Sequence, residues 1–247
     1  MTATPKTNYN IALVIQRFLP KVLASRSLSG HQKSILNLMQ ICKTAALGGH
    51  KERCDHCHHS KIHYNSCGNR NCPSCQGVNK EKWIIDRQQD LLPVKYFHCV
   101  FTIPSELQPY FRYNKKLLFG LIMKCTIDTL KVFGNDPKHG INAKIGSIAL
   151  LHTWTQQLAF HPHVHCIVPA GGLTNSGSWN HSKSGGNFLF PVHAMSIVFR
   201  GKLLAAIHKL FKANKLKLSP QLSADYLYLK NKLYKKDWVV YLSLIHI

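Results

Sequence analysis

Apolar positions recur along this chain with two different periods. Over residues 8–47, Ile11, Ile15, Phe18 and Val22, then Ile35, Leu38, Met39 and Cys42, fall three or four apart, the spacing of one face of an α-helix. Ser29 with Gln32 has the form of a capping box opening the second helix, and Gly48-Gly49 stops it. Residues 50–79, dense in Cys, His, Asn and Gly, read as loop, and residues 80–92 as a short helix ended by Pro93. From there extended and helical patterns alternate. A strand is predicted over 94–104, between Pro93 and Pro104, and a mostly helical stretch over 105–133, with Leu117, Leu118, Leu121, Ile122 and Cys125 along one side. Strands follow at 145–154 and 163–169, then a polar Gly-rich loop. Next come a basic amphipathic helix over 193–213, with Ile197, Leu203, Leu204, Ile207 and Phe211 as its apolar side, and a strand over 237–244. Strands separated by long helices predict a layered α+β fold, and no internal repeat is visible.

The stretch FHPHVHCIVP, residues 160–169, carries histidines at alternate positions, His161, His163 and His165. Pro162 has no N–H to give a sheet ladder, so the strand is expected to begin at His163. His163, His165 and Ile167 then share one face, and Val164, Cys166 and Val168 the other. Two imidazoles from one strand suit one divalent metal ion, with His152, His161 or Gln156 as a further ligand. The bland alternative is a set of hydrogen-bonded core histidines. No Asp or Glu occurs between Asp136 and Asp225. A local carboxylate pair of the two-metal type is therefore excluded, and the negative charge at such a site has to come from a substrate.

A second cluster is CDHCHHSKIHYNSCGNRNCPSCQ. Cys54-x2-Cys57 and Cys72-x2-Cys75 are separated by 14 residues, and two such knuckles together make a tetrahedral zinc site. Cys67, His56, His58 and His63 are spare donors. Disulfides fit poorly with nine cysteines in a reducing compartment, and a redox CxxC normally sits beside a βαβ pattern. Cys42, Cys99, Cys125 and Cys166 lie in apolar contexts and read as small core residues.

Charge narrows the class of partner. The chain has 247 residues, with 32 Lys and Arg against 10 Asp and Glu, a formal net charge of +22. The basic residues are spread along the chain and not confined to one amphipathic segment, which favours nucleic acid over an anionic membrane surface. No apolar run approaches the roughly 20 residues of a membrane span. The N-terminus carries Gln16, Arg17 and Pro20 where a signal peptide would be apolar, so a cytoplasmic, nucleoid-associated protein is expected.

Two enzyme classes use such a histidine strand. One cleaves DNA phosphodiesters with a His-hydrophobic-His metal site and a tyrosine nucleophile. The other is a histidine-triad nucleotide hydrolase, which needs neither a metal, nor a zinc module, nor this much positive charge. The second set of features decides for DNA. The strings AALGGH, SCGNRNCPSCQ, YFHCVFTIP, LLHTW, FHPHVHCIVPAGGL and FRGKLLAAI stand in the order found in insertion-sequence-91-type transposases. These are the rolling-circle, two-tyrosine transposases of the HUH class, and the chain resembles them from about residue 30 to residue 241. The resemblance implies a helical N-terminal region (1–47), a zinc-binding module (48–92) and an incomplete HUH domain (93–241) with a central antiparallel sheet flanked by helices. It also implies nicking of single-stranded DNA at transposon ends with Mg²⁺ or Mn²⁺, with His163 and His165 as the HUH pair.

Two departures accompany the resemblance. The family's Tyr-x3-Tyr pair does not occur among Tyr226, Tyr228, Tyr234 and Tyr241, so a truncated chain that binds metal and DNA without turnover is expected. The ending LSLIHI, Leu242 to Ile247, reads as a non-native tail of adapter origin. Two readings compete with the transposase: a relaxase-like nickase with Tyr9 as nucleophile, and a non-catalytic zinc DNA-binding protein.

Overall fold

A computed structural model describes residues 11–245, and the chain divides into two compact units, Met1–Leu91 and Leu92–Ile247. Tyr9 lies outside the described residues, as do His246 and Ile247.

The first unit opens with helices α1 (Ile11–Ser25) and α2 (Gly30–Gln40). The capping box at the start of α2 is formed. The Ser29 backbone N–H donates to Gln32 Oε1 at 2.9 Å, and the Gln32 N–H donates to the Ser29 hydroxyl at 3.2 Å. A short 3₁₀ turn leads into an antiparallel ribbon, β1 (Gly49–Arg53) and β2 (Ser60–Tyr64), within the segment read as loop. Helix α3 (Pro73–Gln88) starts earlier than residue 80, because Pro73 at its first position supplies the fixed φ that a helix start favours. Ile15, Met39 and Cys72 are the buried side chains of this unit's core among the described residues, with Ile11, Leu19, Ile35, Leu36, Cys42, Cys67 and Cys75 packed around them. Phe18 and Val22 are exposed, so the inward stripe of α1 runs through Ile11, Ile15 and Leu19. A two-stranded ribbon that is exposed along nearly its whole length is marginal by itself, and so small a core leaves much of the unit's stability to its cysteines.

The second unit is built on a sheet of four antiparallel strands in the order β4-β5-β3-β8. These are β3 (Tyr96–Thr102), β4 (Ile148–Trp154), β5 (Phe160–Pro169) and β8 (Val240–Ile245). Between β3 and β4 lie α4 (Gln108–Tyr113) and α5 (Lys115–Asn135). After β5 come a small hairpin of β6 (Gly171–Leu173) and β7 (Trp179–His181), a single turn α6 (Lys183–Gly186), α7 (Val192–Lys212) and α8 (Pro220–Lys235). The hairpin falls in the segment read as a Gly-rich loop. Helix α8 opens with Ser219, whose hydroxyl accepts from the Leu222 N–H, and Pro220.

Period-two alternation gives the sheet two unlike faces. Phe97, Cys99, Phe101, Val164, Cys166 and Val168 are buried beneath α5 and α7; Phe101 meets Phe199 of α7 edge to face at 5.1 Å. Leu117 and Ile197, placed by spacing on apolar helix sides, are exposed, while Met195 and Phe199 take the inward positions of α7. The other face carries His98, Val100, Thr102, His152, His163, His165 and Tyr241, which are half-buried or exposed.

Strand β5 begins at Phe160, before the expected start at His163. Pro162 is tolerated because the β3 ladder reaches only to Thr102↔His163, and the β4 register shifts between His152 and Trp154. Such a bulge absorbs a residue with no N–H to offer. Leu242–Ile245, set apart above as a tail, continue β8, with Leu242 opposite Cys99, Ser243 opposite His98 and Leu244 opposite Phe97.

Candidate metal centres

The open sheet face collects three imidazoles. His163 stands opposite Thr102 of β3 and His152 of β4, and His165 opposite Val100 and Leu150. Directly paired residues in an antiparallel sheet point to the same side, so the pairing alone carries His152 to the histidines of β5. Ring centroids are 4.4 Å apart for His152 and His165, 4.8 Å for His163 and His165, and 5.5 Å for His152 and His163. One nitrogen from each of the three lies within 4.8 Å of the others. They line an open pocket of about 440 Å³ together with Trp154, Gln156 and His161.

Two of the rings have their Nδ1 atoms engaged. His163 Nδ1 lies 2.7 Å from the His161 carbonyl. A carbonyl only accepts, so Nδ1 carries the proton and Nε2 is left with a free lone pair. His165 Nδ1 lies 2.8 Å from His98 Nε2. The His161 ring is turned to Gln108, whose Nε2 is 3.3 Å from its Nδ1. Of the three possible further ligands, the structure brings His152 to the pair; His161 contributes its carbonyl, and Gln156 lines the pocket. Sequence spacing missed His98, although its position on the same parity of β3 as Val100 and Thr102 was a usable signal.

Burial, then the neighbouring His152, His163 and His98, pushes His165 down to about 4. Burial, then His163, also lowers His152 and His161. Crowded imidazoles without a carboxylate resist protonation. The donor set is nitrogen-based and has no carboxylate in it, which fits a divalent cation whose charge is balanced by an incoming anion.

The cysteines assemble differently from the spacing argument. Cys42, Cys67, Cys72 and Cys75 form one group, with all four sulfurs within 4.8 Å of one another. Cys42 Sγ is 3.4 Å from Cys75 Sγ and 3.7 Å from Cys72 Sγ, and Cys67 Sγ is 3.5 Å from Cys75 Sγ. A tetrahedron of Zn–S bonds of about 2.3 Å has sulfur–sulfur edges of about 3.8 Å, so the group fits one zinc ion. Cys42 follows α2, Cys67 follows β2, and Cys72 and Cys75 sit at the start of α3. The expected partners Cys54 and Cys57 are not in this group. The ribbon pairs Gly49 with Tyr64 at its base and Arg53 with Ser60 at its tip. At about 3.4 Å per residue, its strands hold the Cys54–Cys57 turn well over 10 Å from the base. At the tip, the backbone N–H groups of Cys57 and His56 lower the Cys54 thiol. Cys42, read as a core residue, is a member of the cluster, and so is the spare donor Cys67. Cys99, Cys125 and Cys166 are buried core residues, as read.

Comparison with known proteins places both units in one class. Residues 14–103 match the family model described as "Transposase zinc-binding domain", and residues 146–246 match one described as "Putative transposase". A match to a transposase zinc-binding domain thus precedes a match to a transposase domain along the chain. Both matched regions are similar to the insertion-sequence-91-type transposase family. The chain is 43% identical over 199 residues to "Putative transposase y4qJ" of Sinorhizobium fredii (strain NBRC 101917 / NGR234), covering 80% of this chain and 49% of that protein. It is 36% identical over 143 residues to the transposase for insertion sequence element IS801 of Pseudomonas savastanoi pv. phaseolicola, covering 57% of this chain and 34% of that protein. The chain thus spans half or less of the length of these relatives. A conjugative relaxase, TrwC, solved in complex with oriT DNA, aligns at a TM-score of 0.36 and 11% identity, over 46% of this chain and 44% of the relaxase. Among the described residues, no helix is long and apolar enough to cross a membrane.

Proposed function

We propose that this chain provides the metal-binding and DNA-binding parts of a transposase that nicks single-stranded DNA at transposon ends. The observation that carries the proposal is the gathering of His152, His163 and His165 on an open sheet face, with the Nδ1 atoms of His163 and His165 already engaged. All three rings line the same pocket, with one nitrogen of each within 4.8 Å of the others. The cation proposed for this site is Mg²⁺ or Mn²⁺, and Mn²⁺, being paramagnetic, is the probe for it. A divalent cation bound there supplies Lewis-acid polarisation of a phosphodiester. The histidines hold that position fixed, because they stand on two paired strands and not on loops.

Zinc at Cys42, Cys67, Cys72 and Cys75 has a structural role. It ties α2, the ribbon and α3 together where the apolar core is small. The excess of Lys and Arg gives salt-dependent affinity for the nucleic-acid backbone. In the family's chemistry a tyrosine phenolate attacks the phosphorus and the 3′ oxygen leaves, giving a 5′-phosphotyrosine and a free 3′-OH. Of the tyrosines after the histidines, Tyr226 is buried and stacked on Phe211, so it serves packing. Tyr228 is exposed on α8, and Tyr241 lies on the histidine face of β8.

The test is Mn²⁺ binding and binding of a labelled single-stranded oligonucleotide, in the parent protein and in His163→Ala with His165→Ala. The reading requires Mn²⁺ binding in the parent, its loss in the variant, and zinc retained by both. A parent protein that binds DNA but no Mn²⁺ would favour the non-catalytic zinc DNA-binding alternative.

A further inference from the structure

We propose that His98 is a positioning residue that fixes the tautomer of His165, so that His165 presents Nε2 to the cation; this rests on the metal reading above. A neutral imidazole that gives its Nε2 lone pair to a metal must keep its proton on Nδ1. Ligating histidines normally hand that proton to a carboxylate, a carbonyl or water. For His163 the carbonyl of His161 performs this task at 2.7 Å. For His165, the group within reach of Nδ1 is the Nε2 atom of His98 at 2.8 Å. The stretch around β5 has no Asp or Glu in sequence to do it.

The geometry holds this contact firmly. The two rings lie 5.0 Å apart with planes only 5° from parallel, so the nitrogens meet nearly in the ring planes. His98 stands on β3 opposite Ile167 of β5 and Ser243 of β8, and the Tyr241 ring meets it edge on at 6.2 Å. The proton between the rings has two possible owners. With the proton on His165 Nδ1, His98 accepts and His165 Nε2 is free for a cation. With it on His98 Nε2, the neutral His165 carries its own proton on Nε2, and that nitrogen is closed to metal. The first arrangement requires His98 to be protonated on Nδ1. His98 thereby selects between an open and a closed ligand without touching the ion.

The experiment uses the full chain, loaded with zinc and without added Mn²⁺. Long-range ¹H–¹⁵N spectra report the tautomer of each imidazole, with His165 and His98 assigned by substitution. His165 is expected as the Nδ1–H form. His98→Leu, which has no acceptor, is expected to shift His165 toward Nε2–H and to weaken Mn²⁺ binding by roughly 10- to 100-fold. His98→Gln, whose side-chain oxygen accepts, is expected to restore the Nδ1–H form and most of the affinity. A His165 already in the Nε2–H form in the parent would overturn the proposal. So would a His98→Leu protein with unchanged tautomer and Mn²⁺ affinity. The spectra are read without the cation. If the parent binds no Mn²⁺, the metal reading fails, and the tautomers still decide the role of His98.

Discussion

The sulfurs of Cys42 and Cys75, 33 residues apart, lie 3.4 Å from each other, and with Cys67 and Cys72 they close a four-thiol group at the base of an exposed ribbon. Cys54-x2-Cys57, the more conspicuous motif, is left at the ribbon's other end. Cys42→Ser is therefore expected to weaken zinc binding by at least about 100-fold, since a direct ligand matters more than the outer-shell groups that cost 10- to 100-fold. The double change of Cys54 and Cys57 to Ser is expected to leave the zinc content unchanged. Elemental analysis after dialysis against a weak chelator checks both, and the opposite ranking would restore the pairing drawn from spacing.

The two metal centres lie in separate compact units and are expected to be independent. His163→Ala with His165→Ala should abolish Mn²⁺ binding while zinc at the cysteines persists. Paramagnetic resonance of free Mn²⁺, with zinc measured on the same sample, reads both. Loss of both metals together would show that the centres are coupled.

Stability should depend on pH through the crowded imidazoles. His165 is held down to about 4 in the folded protein, against about 6.5 for a free imidazole. Between these values the unfolded chain takes up a proton that the folded chain refuses. Stability is then fully present above about pH 6.5 and lost as pH falls through about 4. His165→Asn should flatten that loss. Urea midpoints between pH 7 and 4.5, without added Mn²⁺, give the comparison; an unchanged slope in the variant would assign the effect elsewhere.

Residues 1–247 are expected to bind single-stranded DNA with an affinity that falls linearly in log–log form with salt. They are expected to form no covalent DNA adduct, because no Tyr-x3-Tyr pair follows the histidines. Denaturing gels with Mn²⁺ present check this. An adduct that disappears in Tyr241→Phe would instead assign the nucleophile to the open sheet face.

Phe101 is fully buried and packed edge to face on Phe199, so Phe101→Ala should destabilise the second unit by about 3–5 kcal/mol. Tyr228, 76% exposed on α8, should tolerate Ala within about 0.5 kcal/mol. Denaturant unfolding followed by circular dichroism distinguishes the two.

Much of this was readable one element at a time. The capping box at Ser29 and Gln32, the strands around Phe97, Leu150 and Cys166, and the parity that sets His163 and His165 opposite Val164 and Cys166 all depend on residues a few positions apart. Local geometry fixes such relations whatever the rest of the chain does. Helix α8 escaped because its apolar residues bunch in the run Tyr226 to Leu229 without a clear helical period, and its start is signalled mainly by Ser219 and Pro220. The start of β5 was misplaced because Pro162 is acceptable only where a neighbouring strand bulges. That His152 joins His163 and His165, that His98 meets His165, and that Cys42 and Cys67, not Cys54 and Cys57, gather with Cys72 and Cys75 are features of the tertiary structure. Sequence distance says little about which of several chemically equivalent side chains meet. Strand pairing does so, because it brings residues far apart in the chain into register and leaves others, near in sequence, at the far end of a rigid ribbon.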